Sequence, residues 1–339
     1  MTRCARMRMR LATAAFTLLG LAPAAAHAGA ESAGTRAASF LSTGVGPAVL
    51  SMGGASLALG SDLQGAAWNT AALARVTSGQ VALAHATFAD QTSQEWAAMG
   101  GRFGGSPWRW GAALLYRDEG SIEGRSAQDT PTGSASAYDL ALSLQLARTL
   151  GEHVSIGGAA HGVRQAIADV SGTGLAFDAG VQARFGMLSV ALAGQDFGGG
   201  MRWDGARWRM PATLGAGVAF AHPASGLSAA LDVRRPADQT ASVRAGAQWR
   251  YADRFALRGG YRAELHAGAS DHRSGPTFGL GAGAGAFWVD YGYLLDGDGT
   301  GTHRVGLSLR RLAALWGALP AAEPQPVRAS GQPATASSH

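Results

Sequence analysis

The sequence contains no lysine, so all 28 of its basic residues are arginine, and only 15% of its 339 residues are charged. Ordinary soluble domains carry about 25% charged residues. The arginine-only basic set, rather than a large excess of charge, accounts for a pI near 10. Because the formal net charge is only +5, the high pI does not indicate a nucleic-acid partner.

Cysteine and long apolar runs are also scarce. Cys4 is the only cysteine and lies in an arginine-rich stretch, which is followed by the apolar residues 11–22 and by small residues ending at Ala28. This order is typical of a secretory signal peptide, so we predict cleavage after Ala28 and loss of the only thiol. Beyond residues 11–26, no run of 18 apolar residues predicts a transmembrane helix. An exported chain of this kind is either a soluble secreted β-protein or a bacterial outer-membrane barrel.

Apolar side chains recur at every second position from residue 80 onward, for example over residues 138–146 and 243–251. This period of two predicts strands with one apolar face. Fourteen such segments can be assigned, and an even number is typical of a bacterial barrel. They are 80–88, 94–103, 109–116, 136–147, 154–165, 174–185, 188–195, 212–221, 226–234, 240–251, 255–261, 277–284, 287–293 and 303–310.

The connections between these segments alternate in length. The turns assigned to the inner side have at most six residues, whereas three outer connections, 117–135, 196–211 and 262–276, have at least fifteen. Short periplasmic turns and long outer loops are typical of outer-membrane barrels. We therefore predict an all-β transmembrane antiparallel barrel of about 14 strands over residues 80–311, in the bacterial outer membrane and in contact with its lipid.

Aromatic residues support the same prediction, because most lie near the predicted strand ends and form two girdles. A soluble β-sandwich would instead bury them in mid-strand. The outer girdle contains Phe88, Trp96, Tyr116, Tyr138, Tyr261, Phe278, Tyr291 and Tyr293. The inner girdle contains Phe103, Trp110, Phe185, Phe220, Trp249, Tyr251, Phe255 and Trp288.

Two regions of the mature chain lack this alternation. Residues 312–339 are rich in proline, alanine and serine and are predicted to be disordered. Residues 29–79 are rich in glycine and alanine. Fourteen strands enclose a lumen wider than side chains alone can fill, so we predict that residues 29–79 plug the barrel from the periplasmic side.

Three stretches resemble a known family. Residues 44–58, followed by Asp62 and residues 68–74, resemble the N-terminal signature of the PorV/PorQ family, which are FadL-like outer-membrane barrels. Residues 289–293 and 301–309 are similar to the last hairpin of that family, and residues 257–262 are also similar. The resemblance implies either transport of hydrophobic compounds or a role in a type IX-like protein-secretion system, with exported proteins as partners. It does not choose between them.

Within the N-terminal segment, five residues are candidates for ligand contact: Met52, Gly53, Gly54, Trp68 and Asn69. The paired glycines permit close approach of the backbone to the barrel wall. Trp68 offers a stacking surface and Asn69 offers an amide. These features predict a ligand-contacting hatch, and the alternative is a folding plug whose residues only fill the lumen.

Four arginines lie on the predicted polar face of the strands and are expected to line the lumen, where they would favour anions. They are Arg164, Arg184, Arg244 and Arg250. The alternative is that they pair with the acidic residues of the interior, Asp139, Asp178 and Asp232.

Motifs for catalysis and metal binding are not found in the sequence. No G-x-S-x-G elbow is present, which argues against a serine hydrolase. The histidines lack H-x-x-x-H and H-E-x-x-H spacing, and the loop that begins at Asp296 has Leu307 where a calcium-binding EF-hand needs glutamate. We therefore predict a non-enzymatic protein without a cofactor or a metal site.

Overall fold

The computed structural model describes residues 36–88, 90, 92–265 and 273–312. The predicted signal peptide and nearly all of the predicted disordered tail lie outside the described residues. Within the described residues, no helix is long and apolar enough to cross a membrane.

The described chain forms fifteen antiparallel strands, fourteen of which close into a barrel. β15 pairs with β1, and β6 pairs with β7, which completes the ring. The short β8 pairs with the end of β7 and is not one of the strands that close the barrel. The predicted all-β barrel of 14 strands is thus confirmed. The strands are β1 (Gln80–Thr87), β2 (Ser93–Arg102), β3 (Trp108–Arg125), β4 (Pro131–Leu150), β5 (Val154–Ile167), β6 (Val170–Phe185), β7 (Leu188–Trp203), β8 (Ala206–Trp208), β9 (Thr213–His222), β10 (Leu227–Pro236), β11 (Ser242–Tyr251), β12 (Phe255–Glu264), β13 (Gly275–Ala284), β14 (Phe287–Leu295) and β15 (Gly301–Arg310).

The hairpin of β3 and β4 is longer than the sequence predicted. Residues 117–135 were expected to form a loop, but both strands continue through them and pair as far as Arg125 and Pro131. A register shift follows Asp118, beside Gly120 with φ 77°. The extension is polar and exposed, so it carries no apolar alternation by which the sequence could reveal it.

The two faces of the wall differ as the alternation predicts. On β4, the outward Leu142, Leu144 and Leu146 are 54%, 62% and 50% exposed, whereas the inward Asp139 and Ala141 are buried. Exposed leucines in a continuous belt are typical of a face covered by lipid. The core of the protein is therefore the barrel interior.

Aromatic side chains mark both ends of the outward belt, with three exceptions, the first being Phe88, which lies against the inward Arg117 and Arg304. Phe103, Tyr251 and Phe255 are exposed near the inner turns. Trp96 and Trp288, which the sequence assigned to the girdles, instead point into the barrel and are 5% and 4% exposed. Both belong to the inward series of their strands, so position near a strand end did not determine the face.

The pairing of β6 with β7 contains a bulge. Phe177 pairs with Phe197 and Ala179 with Gly194, so one residue of β6 lies opposite two residues of β7, Gln195 and Asp196. Bulges of this kind redirect side chains. Asp196 has φ 56° and its side chain lies inside the barrel.

The N-terminal residues 36–79, here called the plug, fill the barrel interior. They form a 3₁₀ helix (Ser39–Thr43), α1 (Pro47–Leu50), α2 (Leu63–Ala66) and a second 3₁₀ helix (Thr70–Arg75). Asp62 caps α2 by accepting from Gly65 N–H, 2.9 Å away. The side chains of Leu57 and Leu73 are fully buried.

The plug crosses the lumen from end to end. Ala37 N–H donates to the carbonyl of Arg209, which lies in an outer connection, and Leu312 N–H donates to the carbonyl of Gly79 at the inner end. The sequence predicted a plug inserted from the periplasmic side, but the plug extends through the whole length of the lumen. The first residues of the plug reach the outer end of the barrel, and we call residues 36–44 the strap.

Candidate functional site

The side of the lumen formed by β10–β15, here called the seat, holds the plug through its backbone. Oδ2 of Asp232 accepts hydrogen bonds from Ser56 N–H at 2.7 Å and from Leu57 N–H at 2.9 Å. Oγ1 of Thr277 accepts from Gly53 N–H at 2.8 Å and donates to the carbonyl of Ser51 at 2.9 Å. Buried backbone groups must be hydrogen-bonded, and here the wall supplies the partners.

Glycines allow the plug backbone to lie directly against the seat. A Cβ atom on Gly53, which has φ 70°, would lie 2.6 Å from the carbonyl oxygen of Tyr261. On the wall, Gly246 faces Met52 and Gly260 faces Gly53 with no room for a side chain. Other inward glycines contact the plug in the same way, on the seat (Gly279, Gly292, Gly306) and on the opposite wall (Gly157, Gly180).

Trp68 lies at the centre of the lumen, between the seat and the opposite wall. Its Nε1–H donates to the carbonyl of Val45 at 2.9 Å. The guanidinium groups of Arg234 and Arg244 lie 4.8 Å and 5.4 Å from the centre of the indole ring. Cation–π contacts of this length are favourable, and more so where water is excluded.

Asn69 has a structural role inside the plug. Its Oδ1 accepts from Ala71 N–H at 3.0 Å, and its Nδ2 donates to the carbonyl of Leu57 at 2.9 Å. The five candidate ligand residues are thus placed in the lumen, but both polar ends of the Asn69 amide are used in backbone contacts. Met52, Gly53 and Gly54 lie against the seat.

Opposite the seat, a cavity of about 70 Å³ lies between the plug and part of the wall formed by β2–β7, whose inner end contacts the plug through Gln182 and Arg184. We call this wall the cavity wall. Its apolar lining comes from the strap and the plug (Leu41, Val45, Trp68) and from the wall (Trp96, Leu115, Ala141). Its polar lining is Ser143, Gln145, His161, Asp178, Gln195, Asp196 and Arg234.

The predicted lumen arginines are not all in the lumen. Arg184, Arg244 and Arg250 point inward, and Arg184 donates to the carbonyl of Leu59 at 3.1 Å. Arg164 is exposed on the outward face of β5, so its predicted place in the lumen is wrong. The small residues on both faces of β5 left the orientation of that strand undefined by sequence.

The acidic residues expected to pair with these arginines have other partners. Asp139 accepts from Gln165 at 2.7 Å, Asp178 contacts His161, and Asp232 accepts from the plug backbone. A fully buried ion pair joins Arg258 to Asp290 instead, at 2.8 Å. Sequence spacing carries no signal for these contacts, because each joins different strands or joins a strand to the plug.

No protein-family model and no curated protein matches the chain. Solved structures do match it. The toluene transporter TodX of Pseudomonas putida is 12% identical, with a TM-score of 0.61 over 79% of this chain and 98% of that chain. The chain shares that fold. The toluene transporter TbuX of Ralstonia pickettii (13% identity, TM-score 0.58, 79% and 98% coverage) and a FadL homologue of Pseudomonas aeruginosa (10%, 0.54, 78% and 98%) are similar in the same way. These likenesses establish a barrel fold shared with these proteins, and the PorV/PorQ resemblance stays a prediction.

Proposed function

We propose that the protein is a non-enzymatic outer-membrane barrel of PorV/PorQ type that transports hydrophobic small molecules. The observation that carries the proposal is a 14-strand barrel with an internal plug, in the fold of two toluene transporters. The outward belt of exposed leucines supports a place in a membrane, and the sequence of residues 1–28 supports export to the outer one.

In this proposal the solute passes along the cavity wall. The apolar side chains of Val45, Trp68, Trp96 and Leu115 offer it an apolar surface. The cavity of about 70 Å³ is smaller than the roughly 150 Å³ that holds a benzene ring in a protein core. Passage of an aromatic ring therefore requires that part of the lining moves.

The strap is the part of the plug that we propose to move. Most of its residues are only half-buried, whereas most of residues 45–58 are buried against the wall. Its polar contacts join it to the wall at Gln94, 2.5 Å from Thr43 Oγ1, and at Gln165, which accepts from Ala38 N–H at 2.7 Å. Its Phe40 is buried in the apolar cluster, so displacement of the strap exposes that ring. Displacement of residues 39–43 would open the cavity towards the outer end and leave the seat contacts intact.

Uptake of radiolabelled toluene by intact cells tests the proposal. Cells that express the full chain are expected to take up toluene faster than cells that carry the empty vector. Migration of the unboiled protein on a gel verifies that the barrel is folded. Equal uptake by the two strains, with a folded barrel present, would contradict the proposed transport.

The projecting hairpin favours the second candidate function, a role in a type IX-like secretion system. β3 and β4 extend beyond the register shift at Asp118 as a polar, exposed ribbon that a protein partner could contact. A variant that replaces residues 121–136 with a short turn is expected to keep toluene uptake. If neither the variant nor the intact chain takes up toluene, and the intact chain alone captures an exported protein in pull-down, the secretion role replaces transport.

A further inference from the structure

A polar cluster on the cavity wall is a second candidate binding site, and its occupancy does not depend on solute transport. His161, Asp178 and Asp196 come from three neighbouring strands, β5, β6 and β7, and face the same cavity. One nitrogen or oxygen atom from each lies within 4.8 Å of those of the other two. We propose that these three side chains bind a divalent transition-metal ion, with Zn²⁺ as the reference ion.

The bulge in β7 holds the two carboxylates together. Asp196 has φ 56°, and its N–H donates to Oδ1 of Asp178 at 2.8 Å. This contact fixes Asp178 and leaves its Oδ2 directed at His161, 3.0 Å from Nε2. The arrangement is the local consequence of one extra residue in β7, since regular pairing would place residue 196 elsewhere.

One ligand atom of the cluster is buried without a hydrogen-bond partner. Nε2 of His161 is close to Asp178 but is not aligned for a hydrogen bond, and it makes none. The residue itself is only 8% exposed, as is Asp196 beside it. A buried polar atom without a partner is costly, so this nitrogen calls for a ligand.

The charge of the cluster favours a cation. Two carboxylates lie together in a site that water barely reaches, and the guanidinium of Arg234 nearby is engaged with Gln195 and the face of Trp68. Two buried negative charges repel each other, and an imidazolium at His161 would balance only one of them. A divalent ion would balance both.

The ligand chemistry narrows the choice of ion. An imidazole nitrogen with two carboxylate oxygens suits zinc and its neighbours, whereas calcium and magnesium prefer oxygen alone. Tetrahedral ligands about 2.0–2.2 Å from zinc lie about 3.3–3.6 Å apart, so the three atoms, now within 4.8 Å of one another, come into place by side-chain rotations of about 1 Å. The adjoining cavity leaves room for water at the remaining position.

Ser143 completes the geometry as a positioning residue. Its Oγ lies 2.6 Å from Nδ1 of His161. A hydrogen bond at the second ring nitrogen of a ligating histidine fixes the ring and leaves the other nitrogen free for metal. The sequence could not reveal the site, because its residues lie far apart along the chain and meet only across the sheet.

Equilibrium dialysis of the full folded chain tests the inference. The detergent-solubilised protein is stripped with EDTA and dialysed against Zn²⁺, and Co²⁺ is used for an absorption spectrum. The wild type is expected to bind one more ion per chain than H161Q or D196N, and S143A is expected to bind it roughly 10- to 100-fold more weakly. H85Q is the matched control, because His85 pairs with Glu95 on the exposed outer face and its loss should leave the ion bound.

Equal binding of Zn²⁺ by wild type, H161Q and D196N would overturn the inference, as would no binding by the stripped wild type. If the variants fail to fold, the wild type alone decides. Bound metal should raise the temperature at which the unboiled barrel loses its compact gel migration, since a ligand that binds only the folded state stabilises it. No shift with Zn²⁺ would equally count against the site. Loss of toluene uptake does not bear on this test.

Discussion

The two sides of the lumen contact the same plug in different ways. On the seat, the wall satisfies the backbone of residues 51–57 through Asp232 and Thr277, and glycines bring the main chains into contact. On the cavity wall, Gln182 and Arg184 also hold plug carbonyls at the inner end, but towards the outer end a space of about 70 Å³ remains beside the plug. A plug can therefore be fixed and still leave a path, provided that part of one wall stays clear of it.

The largest effect is expected from Asp232→Ala on the seat. The substitution leaves the buried N–H groups of Ser56 and Leu57 without an acceptor, which costs about 2–4 kcal/mol. The population of barrels with an unseated plug should rise roughly 30- to 1000-fold, since each 1.4 kcal/mol is tenfold. In planar bilayers, the larger population of unseated plugs should appear as more frequent opening of an ion-conducting state.

Asp232→Asn is the control for that prediction. Both plug N–H groups donate to the same oxygen, so an asparagine amide oxygen in that place still accepts both. Its openings should be much rarer than those of Asp232→Ala. Equal behaviour of the two variants would mean that the seat does not act through these hydrogen bonds.

A smaller effect is expected from Gly246→Val, which puts a side chain where Met52 lies against the wall. Overpacking of this kind costs about 1–3 kcal/mol and should also open the barrel in bilayer recordings. Gly162→Val is the matched control, because Gly162 lies on the exposed face of its strand, where a Cβ atom would have no other atom within 4 Å. Similar conductance from both variants would show that close contact at Gly246 does not hold the plug.

The smallest effect on stability is expected on the cavity wall, from Ala141→Leu. The larger side chain occupies the cavity, so the barrel is unchanged or more stable by about 0.5–2 kcal/mol. Toluene uptake should nevertheless fall towards that of the empty vector. Ala160→Leu on the outward face of β5 should leave uptake unchanged. Full uptake by Ala141→Leu would show that the solute does not pass through the cavity.

The alternation of side chains predicted the barrel because an apolar outer face and a plugged, more polar lumen impose a period of two. Where the two faces of a strand do not differ in polarity, the sequence did not predict the strand or its orientation. The extension of β3 and β4 lies beyond the belt and shows no alternation. On β5, alanines and glycines on both faces left the direction of Arg164 open.

The contacts of the plug were predictable in part. The paired Gly53 and Gly54 indicated close approach to the wall, and the structure places them there. The acceptor for the plug backbone, Asp232, lies about 175 residues away in sequence from Ser56 and Leu57. No local sequence pattern predicts a contact between residues so far apart in the chain. The same holds for the cluster of His161, Asp178 and Asp196, which depends on a bulge.

Hydrogen exchange along the plug, measured by mass spectrometry on the folded chain, tests whether the seat fixes residues 51–58 while the strap can move. Exchange is expected to be slow for the amides of residues 51–58, which the seat holds, and much faster for residues 39–44 of the strap. Addition of toluene should change exchange in the strap alone. Uniform protection along the plug, or faster exchange at residues 51–58 than in the strap, would contradict a fixed segment 51–58 beside a movable strap.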